Sequence, residues 1–310
     1  MATKRCDYVR VDVFSTKPFG GNPLAVFPDA RGLSSRDMQL LAKEMNLSET
    51  TFVLPASRRS GAEFRVRIFT PDTELPYAGH PTIGTFFVLA EDGKVAADDG
   101  LSVVRMEAMA GILPVEIYRS RGRVRKVVTV QKKPTFGRRY ADIALLADAL
   151  SLKASELDAK RAPPLLVSTG LPWLIVPVKK RSSVERISIN STAFAKAVGK
   201  LPRGVVDIYA TCLEPLENGS TTHSRAFSLV SGNIVEDPAT GSASGCLGAY
   251  LVKNRLVDVK SSTRVVNEQG YALDRPSRIE VEVRTAPGGS IESVRVGGRA
   301  VEVMRGRAEF

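Results

Sequence analysis

The fold is indicated by a pattern that occurs twice, as ELPYAGHPTIG (residues 74–84) and as EDPATGSASG (residues 236–245). A proline, the glycine three places later and the residue after that glycine correspond at a constant offset of 162 residues: Pro76 with Pro238, Gly79 with Gly241, and His80 with Ser242. Each copy opens an apolar stretch, TIGTFFVLAED (82–92) in the first half and SASGCLGAYLVK (242–253) in the second. The repeat predicts two related domains.

Both apolar stretches lack a polar side and therefore predict helices that are buried on nearly every face. Short strand-like runs surround each of them, so we expect an α+β fold of two similar domains, each a barrel-like mixed β-sheet wrapped around a central helix. The expected domains are residues 1–118 and 119–310, with the boundary at the arginine-rich stretch after Tyr118. The terminal segment 294–310 is predicted to be a strand that can pair with either domain.

The strand predictions rest on period-two alternation or on continuous apolar character between Gly, Pro and Asn residues. They cover YVRVDVF (8–14), LAVFP (24–28), TTFVLP (50–55), FRVRIF (64–69), LPVEIYR (113–119), two strands within PLLVSTGLPWLIVPV (164–178), and AFSLV (226–230). An amphipathic helix is predicted over SSRDMQLLAKEMN (34–46), with Ser34 or Ser35 as its N-cap.

The composition is typical of a soluble globular protein: 310 residues, 43% hydrophobic and 25% charged, with a net charge of +11. No apolar run approaches the roughly 20 residues that cross a bilayer, and no signal peptide is evident, so we expect neither a membrane protein nor a secreted one. Three widely spaced cysteines and only two histidines predict neither a disulfide framework nor a metal site. The cytoplasm, a reducing compartment, fits this cysteine usage best.

Positive charge is concentrated in the second half of the chain, in RSRGRVRK (119–126), QKKP (131–134) and KKR (179–181). Such clusters attract nucleic acids and other anionic surfaces. Because RSRGRVRK contains no aromatic residue for base stacking and no nucleic-acid-binding module is recognisable, we interpret the clusters as solvated faces. A nucleic acid is therefore not expected as a partner.

Each predicted central helix begins directly after a glycine-containing turn. The N–H groups and the dipole at a helix N-terminus bind small carboxylates. Gly79 and Gly241 permit a close approach of the backbone to a ligand, and His80 and Ser242 occupy the first helical turns. Ordinary capping turns produce similar patterns, but they do not explain why both halves share one.

Two carboxylates lie close to these features in the sequence. Asp237 precedes the second helix, where its structural role would be a favourable interaction with the helix dipole. Glu49 lies in NLSETTFV, between the amphipathic helix and a strand. It is either an exposed turn carboxylate or, if enclosed in a cleft, a group suited to proton transfer near neutral pH.

The chain resembles the PhzF family, the phenazine-biosynthesis isomerases and their relatives, in five segments that follow the family's order and span nearly the whole chain. They are NPLAVF (22–27), EMNLSETTFV (44–53), FTPDTELPYAGHPTIG (69–84), STGLPWLIVPV (168–178) and EDPATGSASGCLGAYL (236–251). The resemblance implies the diaminopimelate-epimerase-like fold, with the active site between two similar domains, and it implies a homodimer.

The resemblance also implies the site residues: the family's catalytic glutamate falls on Glu49, its Gly-His pair on Gly79 and His80, and its aspartate and serine on Asp237 and Ser242. In the implied reaction, Glu49 takes a proton from carbon in a small carboxylate or amino-acid-like substrate and helps to return one elsewhere, which shifts a double bond. His80 and Asp237 are the other expected catalytic residues, and Gly79, Gly241 and Ser242 are expected to bind the substrate. No cofactor and no metal are expected. Neither helix start carries a cysteine, so a two-thiol racemase is not expected.

Other enzyme classes fail on their motifs. A nucleophile elbow requires GxSxG, whereas GSASG has Ala243 at the nucleophile position. A phosphate loop requires a lysine where Thr85 stands, and no GxGxxG follows a strand. The alternative that stays open is a catalytically silent small-molecule-binding or interaction module of the same fold.

Overall fold

The computed structural model describes residues 3–95, 98–205, 207–230 and 232–310. Contacts between residues divide the chain into two units. Unit 1 comprises Met1–Val130 and Gly297–Phe310, and unit 2 comprises Gln131–Val296. None of the helices within the described ranges combines the length and the apolar character needed to span a bilayer.

The elements of the described residues are numbered in chain order. The strands are β1 (Arg5–Val13), β2 (Asn22–Phe27), β3 (Thr50–Pro55), β4 (Phe64–Phe69), β5 (Glu74–Leu75), β6 (Gly100–Ala108), β7 (Gly111–Ser120), β8 (Arg123–Val130), β9 (Thr135–Arg139), β10 (Leu165–Ser168), β11 (Pro172–Pro177), β12 (Asp207–Cys212), β13 (Thr222–Val230), β14 (Asn233–Asp237), β15 (Ser262–Gln269), β16 (Ser277–Thr285), β17 (Ile291–Gly298) and β18 (Ala300–Glu309). The α-helices are α1 (Ser35–Met45), α2 (Gly79–Glu91), α3 (Ile143–Ala149), α4 (Arg181–Glu185), α5 (Ser191–Gly199) and α6 (Gly241–Lys253).

The two units repeat one sheet topology. In unit 1 the strands pair in the order β18, β1, β2, β3, β4, β6, β7 and β8, with the short β5 also on β4; β2–β3 and β4–β6 are parallel and the others antiparallel. In unit 2 the order is β9, β10, β11, β12, β13, β15 and β16, with β14 also on β13; β11–β12 and β13–β15 are the parallel pairs. The prediction of two similar units is confirmed.

Each mixed sheet surrounds one central helix. α2 contacts β1, β2, β3, β7, β8 and β18, and α6 contacts β10, β11, β15 and β16. Both helices have 13 residues, and their first and last residues keep the 162-residue offset of the repeated pattern. α2 begins three residues before the apolar stretch that predicted it, because Pro81 lacks only a backbone N–H that has no partner in a first helical turn.

Close helix-to-sheet packing explains a glycine inside each central helix. A Cβ at Gly84 would lie 2.6 Å from Leu24 Cδ2 and 2.7 Å from Val13 Cγ2. A Cβ at Gly248 would lie 2.6 Å from Val281 Cγ1. Any larger residue at either position would push the helix away from the strands that cover it.

A partly buried ion pair precedes each central helix and extends the repeat beyond the sequence pattern. Arg67 binds Glu74 through two hydrogen bonds of 2.7 and 2.6 Å, and Arg225 binds Glu236 through two of 2.8 and 2.6 Å. Each guanidinium also lies over the phenylalanine ring two residues further along its strand, 5.0 Å from the ring centroid. These bidentate pairs tie the strand to the turn that leads into the helix.

The amphipathic helix α1 begins as predicted. Ser34 is its N-cap: the Asp37 N–H donates to Ser34 Oγ at 3.1 Å, and the Ser34 N–H donates to Asp37 Oδ2 at 2.7 Å. This capping box satisfies donors at both ends of the first turn. Met38 and Leu41 pack into the core, and the helix ends at Asn46, whose φ of 48° turns the chain toward β3.

The unit boundary differs from the position expected after Tyr118. That position falls inside β7, which continues to Ser120 and pairs with β8 as a hairpin, so the first unit extends to Val130. The terminal strand β18 pairs with β1 along its length and belongs to unit 1.

Arg119 departs from the solvated face predicted for the basic cluster 119–126. It is buried, and its Nη2 donates to the Ala90 carbonyl oxygen at 2.5 Å, in the last turn of α2. The dipole of a helix favours a cation at this end. Arg119 therefore stabilises the central helix, whereas Arg121, Arg123 and Arg125 are exposed as predicted.

Candidate functional site

Glu49 lies in the short connection between α1 and β3, directly before the first residue of the strand. Thr50 and the next three residues of β3 are buried, which anchors the connection to the core of unit 1. The Glu49 side chain is 17% exposed. Glu49 is therefore mostly enclosed by protein and only partly accessible. It does not fit the alternative of an exposed turn carboxylate.

His80 faces Glu49 from the first turn of α2. Its Nε2 lies 3.3 Å from Glu49 Oε2, and its side chain is 8% exposed. Burial lowers the pKa of His80 from 6.5 to about 3, so the imidazole is neutral at pH 7. The two atoms are in contact without the alignment of a hydrogen bond. The pair is thus a carboxyl group beside a neutral imidazole.

Gly79 is the first residue of α2 and adjoins this pair. A Cβ built at Gly79 meets no heavy atom within 4 Å, so open space lies over the backbone at this point. The N-cap residue, Ala78, makes no side-chain cap for the helix. The N-terminus of α2 therefore presents backbone to open space beside Glu49 and His80.

In unit 2, Asp237 is the last residue of β14 and lies opposite Ala226 on β13. The Thr240 hydroxyl donates a hydrogen bond to Asp237 Oδ2. Thr240 is the N-cap residue of α6, and Gly241 is its first helical residue. Asp237 is thus oriented by the residue that starts the helix, which is more specific than a general attraction to the dipole.

Ser242 occupies the position in α6 that His80 occupies in α2. Its Oγ accepts a hydrogen bond from Trp173 Nε1 at 3.1 Å, and the indole packs edge-on against the ring of Tyr209 at 5.9 Å. Trp173, in the STGLPW segment, had not been predicted as a site residue. The sequence feature that could have indicated this role is a single tryptophan directly after a Gly-Leu-Pro turn.

The predicted site residues therefore form one group in each unit. Unit 1 brings together Glu49, Gly79 and His80, and unit 2 brings together Asp237, Gly241 and Ser242 at the start of α6. Within the described ranges, no group of three or more His, Cys, Asp or Glu side chains is arranged to hold a metal ion.

Strand register identifies a counterpart of Glu49 that the sequence pattern missed. Phe69 on β4 lies opposite Thr50, and the equivalent phenylalanine on β13 lies opposite Ile208. Glu49 thus corresponds to Asp207, whose pKa is raised by burial. Asp207 lies outside the repeated helix-start pattern, so only the paired strands reveal the correspondence.

The three cysteines are buried free thiols. Burial raises the pKa of Cys212 and of Cys246 to about 11, which keeps both protonated at neutral pH. Cys246 contacts the Thr169 hydroxyl at 3.5 Å inside the core of unit 2. These thiols have the environment of structural cysteines.

Known proteins are similar to the chain over almost its whole length. The family profile described as phenazine biosynthesis-like protein (PhzC-PhzF) matches residues 11–306. An uncharacterized isomerase of Mesorhizobium japonicum is 36% identical over 304 residues, which cover 97% of this chain and 98% of that protein. A trans-2,3-dihydro-3-hydroxyanthranilate isomerase of Pseudomonas aeruginosa is 35% identical over 303 residues, with the same two coverages.

Solved structures agree with the sequence comparison. A Bacillus anthracis phenazine biosynthesis protein of the PhzF family matches with a TM-score of 0.88 and 31% identity, over 98% of this chain and 99% of that chain. A hydroxyproline epimerase of Agrobacterium vitis shares the fold, with a TM-score of 0.64 and 14% identity over 98% of this chain and 92% of that chain. The epimerase-like fold is confirmed. The chain therefore belongs to the PhzC-PhzF family of phenazine biosynthesis-like proteins, and it is an isomerase.

Proposed function

We propose that the chain moves a proton, and with it a double bond, within a small carboxylate, with Glu49 as the acid/base group. The observation that carries the proposal is the 3.3 Å contact between the enclosed Glu49 carboxylate and a neutral imidazole at the start of α2. A relative 35% identical to the chain is named trans-2,3-dihydro-3-hydroxyanthranilate isomerase. That compound is the first substrate to test.

The reaction needs one group that first accepts and then returns a proton. Glu49 removes a proton from carbon, the double bond migrates, and a proton is delivered to a different carbon, so atoms and electrons balance without an oxidant. A neutral His80 suits this task, because an imidazolium at 3.3 Å would stabilise the carboxylate charge and make Glu49 a weaker base. His80 also supplies a ring nitrogen that can hold or relay a proton.

The other predicted residues receive supporting roles in this proposal. Asp237 is a second catalytic residue, which orients the substrate and exchanges protons with it. Gly79 and Gly241 bind the substrate through the backbone at the helix starts, where partial positive charge stabilises negative charge that develops in the transition state. Ser242 binds the substrate with a hydroxyl that Trp173 holds in place.

The test is solvent deuterium incorporation into trans-2,3-dihydro-3-hydroxyanthranilate, and into a set of other small carboxylates, by the wild type and by Glu49→Gln. Glutamine keeps the size of the side chain and removes its basicity. We expect turnover and exchange to fall by about 10²- to 10⁴-fold, the usual contribution of a general base. Glu44→Gln, on the exposed face of α1, is the matched control and should keep wild-type rates.

The outcomes separate the alternatives. A Glu49→Gln protein that keeps the wild-type rate would remove Glu49 from the mechanism. Ligand binding without any Glu49-dependent exchange would favour the catalytically silent binding module. Exchange with a carboxylate other than the first one would keep the mechanism and change the substrate.

We further propose a cytoplasmic homodimer. Three free cysteines support a reducing compartment, and the family resemblance supports the dimer. Light scattering coupled to size-exclusion chromatography measures the mass of the particle, and a mass equal to one 33.5 kDa chain would contradict the dimer.

A further inference from the structure

We propose that Gln269 and Thr240 are positioning residues that fix the Asp237 carboxylate through a chain of hydrogen bonds running in one direction. The proposal rests on the function proposed above, in which Asp237 acts on the substrate. All groups of this hydrogen-bond chain belong to unit 2. Its direction follows from atoms that can only donate or can only accept.

The Gln269 amide has one allowed orientation. Its Oε1 accepts from the Thr240 backbone N–H at 3.0 Å, and its Nε2 donates to the Asp237 carbonyl oxygen at 2.7 Å. In a flipped amide, the NH₂ group would face the Thr240 N–H, donor against donor, and Oε1 would face the Asp237 carbonyl oxygen, acceptor against acceptor. Nε2 directs its second proton to Thr240 Oγ1 at 2.9 Å.

This orientation determines where the Thr240 hydroxyl points. Because Oγ1 accepts from Gln269, its own proton is donated to Asp237 Oδ2. An N-cap threonine ordinarily uses this oxygen to accept from an N–H of the helix, but Thr240 makes no such cap. The hydroxyl serves the carboxylate instead of the helix.

The hydrogen-bond chain continues on the other side of Gln269 in the same direction. Tyr209 Oη donates to Gln269 Oε1 at 2.7 Å and accepts from Asn267 Nδ2 at 2.6 Å. Asn267 Oδ1 in turn accepts from the hydroxyls of Thr222 and Ser224, both at 2.7 Å. These five side chains are fully buried, with at most 1% exposed. Aligned bonds polarise one another, so the whole row strengthens the last donor, which meets Asp237.

Unit 1 shows that the fold does not need this device. At the 162-residue offset, the counterparts of Thr240 and Asp237 are Ala78 and Leu75, which have no side-chain polar group. The same sheet and central helix form in unit 1 without them. A role in orienting the Asp237 carboxylate explains why unit 2 has these hydrogen bonds and the equivalent position of unit 1 does not.

The first experiment compares Thr240→Val, Thr240→Ser and Asp237→Asn with the wild type in trans-2,3-dihydro-3-hydroxyanthranilate turnover. Valine keeps the shape of threonine and removes the donor to Asp237. We expect kcat to fall about tenfold to hundredfold in Thr240→Val, the effect of losing a hydrogen bond to a charged group, with KM within about twofold. Serine restores the hydroxyl and should bring kcat within about threefold of the wild type. Thermal unfolding monitors folding of each variant.

The second experiment uses Gln269→Glu, whose effect depends on pH. A protonated carboxyl keeps one oxygen that accepts from the Thr240 N–H and one O–H that can donate to Thr240 Oγ1, but it has no second proton for the Asp237 carbonyl oxygen. An ionised carboxylate accepts at both oxygens, so the Thr240 proton turns to it and away from Asp237. We therefore expect kcat of Gln269→Glu, relative to the wild-type profile, to be highest at pH 5 and to fall at least tenfold by pH 9.

The results separate failure of this proposal from failure of the proposed function. If Asp237→Asn keeps the wild-type kcat, Asp237 is not catalytic and the positioning proposal falls with that role, whereas the role proposed for Glu49 is decided by the Glu49→Gln test. If Asp237→Asn is impaired while Thr240→Val matches the wild type, the positioning role alone is overturned. A Gln269→Glu profile parallel to that of the wild type would also overturn it, because a purely structural glutamine has no such titration. If the wild type does not act on this compound, the same comparisons use the carboxylate that exchanges in the Glu49→Gln test.

Discussion

Lowering the pH should destabilise unit 1 through His80, and the size of the effect follows from the buried ring. Burial lowers the pKa of His80 from 6.5 to about 3. The unfolded chain therefore binds a proton at pH values where the native imidazole stays neutral. The stability that the protein has with His80 neutral in both states is therefore fully present above pH 6.5, and it is lost as the pH falls from 6.5 toward 3.

The magnitude comes from proton linkage. At pH 5 an unfolded histidine is almost fully protonated and the native one is not, so unfolding takes up about one proton at this residue. Integrated from pH 7 to pH 5, His80 removes about 2 kcal/mol of unfolding free energy, with a slope near pH 5 of about 1.3 kcal/mol per pH unit.

The assay is urea denaturation at pH 5, 6, 7 and 8 for the wild type and for His80→Asn. All other titrating groups are common to both proteins, so the difference between the two curves isolates His80. We expect the wild type to lose about 2 kcal/mol more than His80→Asn between pH 7 and pH 5. If the wild type instead gains stability relative to His80→Asn on acidification, the imidazole is charged and paired with Glu49, and the neutral imidazole used in the mechanism is refuted.

Three further predictions concern packing and chemistry elsewhere. Arg225→Met leaves a largely buried carboxylate without its bidentate partner and should lower the free energy of unfolding in urea by about 3–5 kcal/mol. Arg284→Met, at an exposed pair, should change it by less than about 1 kcal/mol, and equal effects of the two substitutions would contradict the reasoning. Gly84→Ala places a methyl group within 2.7 Å of two side chains and should cost about 1–3 kcal/mol, while Gly79→Ala, which faces open space, should keep stability and lose turnover. Cys246→Ala should retain turnover, and peptide mapping should find the native thiol unalkylated at pH 8, because its pKa is about 11; rapid alkylation would overturn the assignment.

Local chemistry in the sequence predicted most of the individual elements. TTFVLP (50–55) and FRVRIF (64–69) are strands with the predicted bounds, since alternating and β-branched residues favour the extended backbone wherever they occur. Ser34 begins α1 because its hydroxyl reaches an N–H three residues away. The two helix starts were recognisable because the same residue types recur at the same spacing, which also drew attention to Gly79 and Gly241.

The state of the site residues depended on neighbours that are distant in the sequence. Glu49 and His80 are 31 residues apart, and their contact and the neutrality of the ring follow from shared burial. Gln269 carries no local signal, because its role appears only when β15 brings it beside Thr240 and Asp237. Arg119 looked like part of a solvated basic face until its partner at the end of α2 was known.

The resemblance to a known family thus identified the residues proposed to act on the substrate, and the sequence by itself determined the repeated architecture and the central helices. These follow from backbone preferences, periodicity and spacing, which are properties of short segments. Only the tertiary structure decided that β18 completes unit 1, that the first unit extends to Val130, and which donors meet the Asp237 carboxylate. Strand pairing, desolvation and the direction of a hydrogen bond depend on the atoms that surround a group in space, and no short segment contains that information.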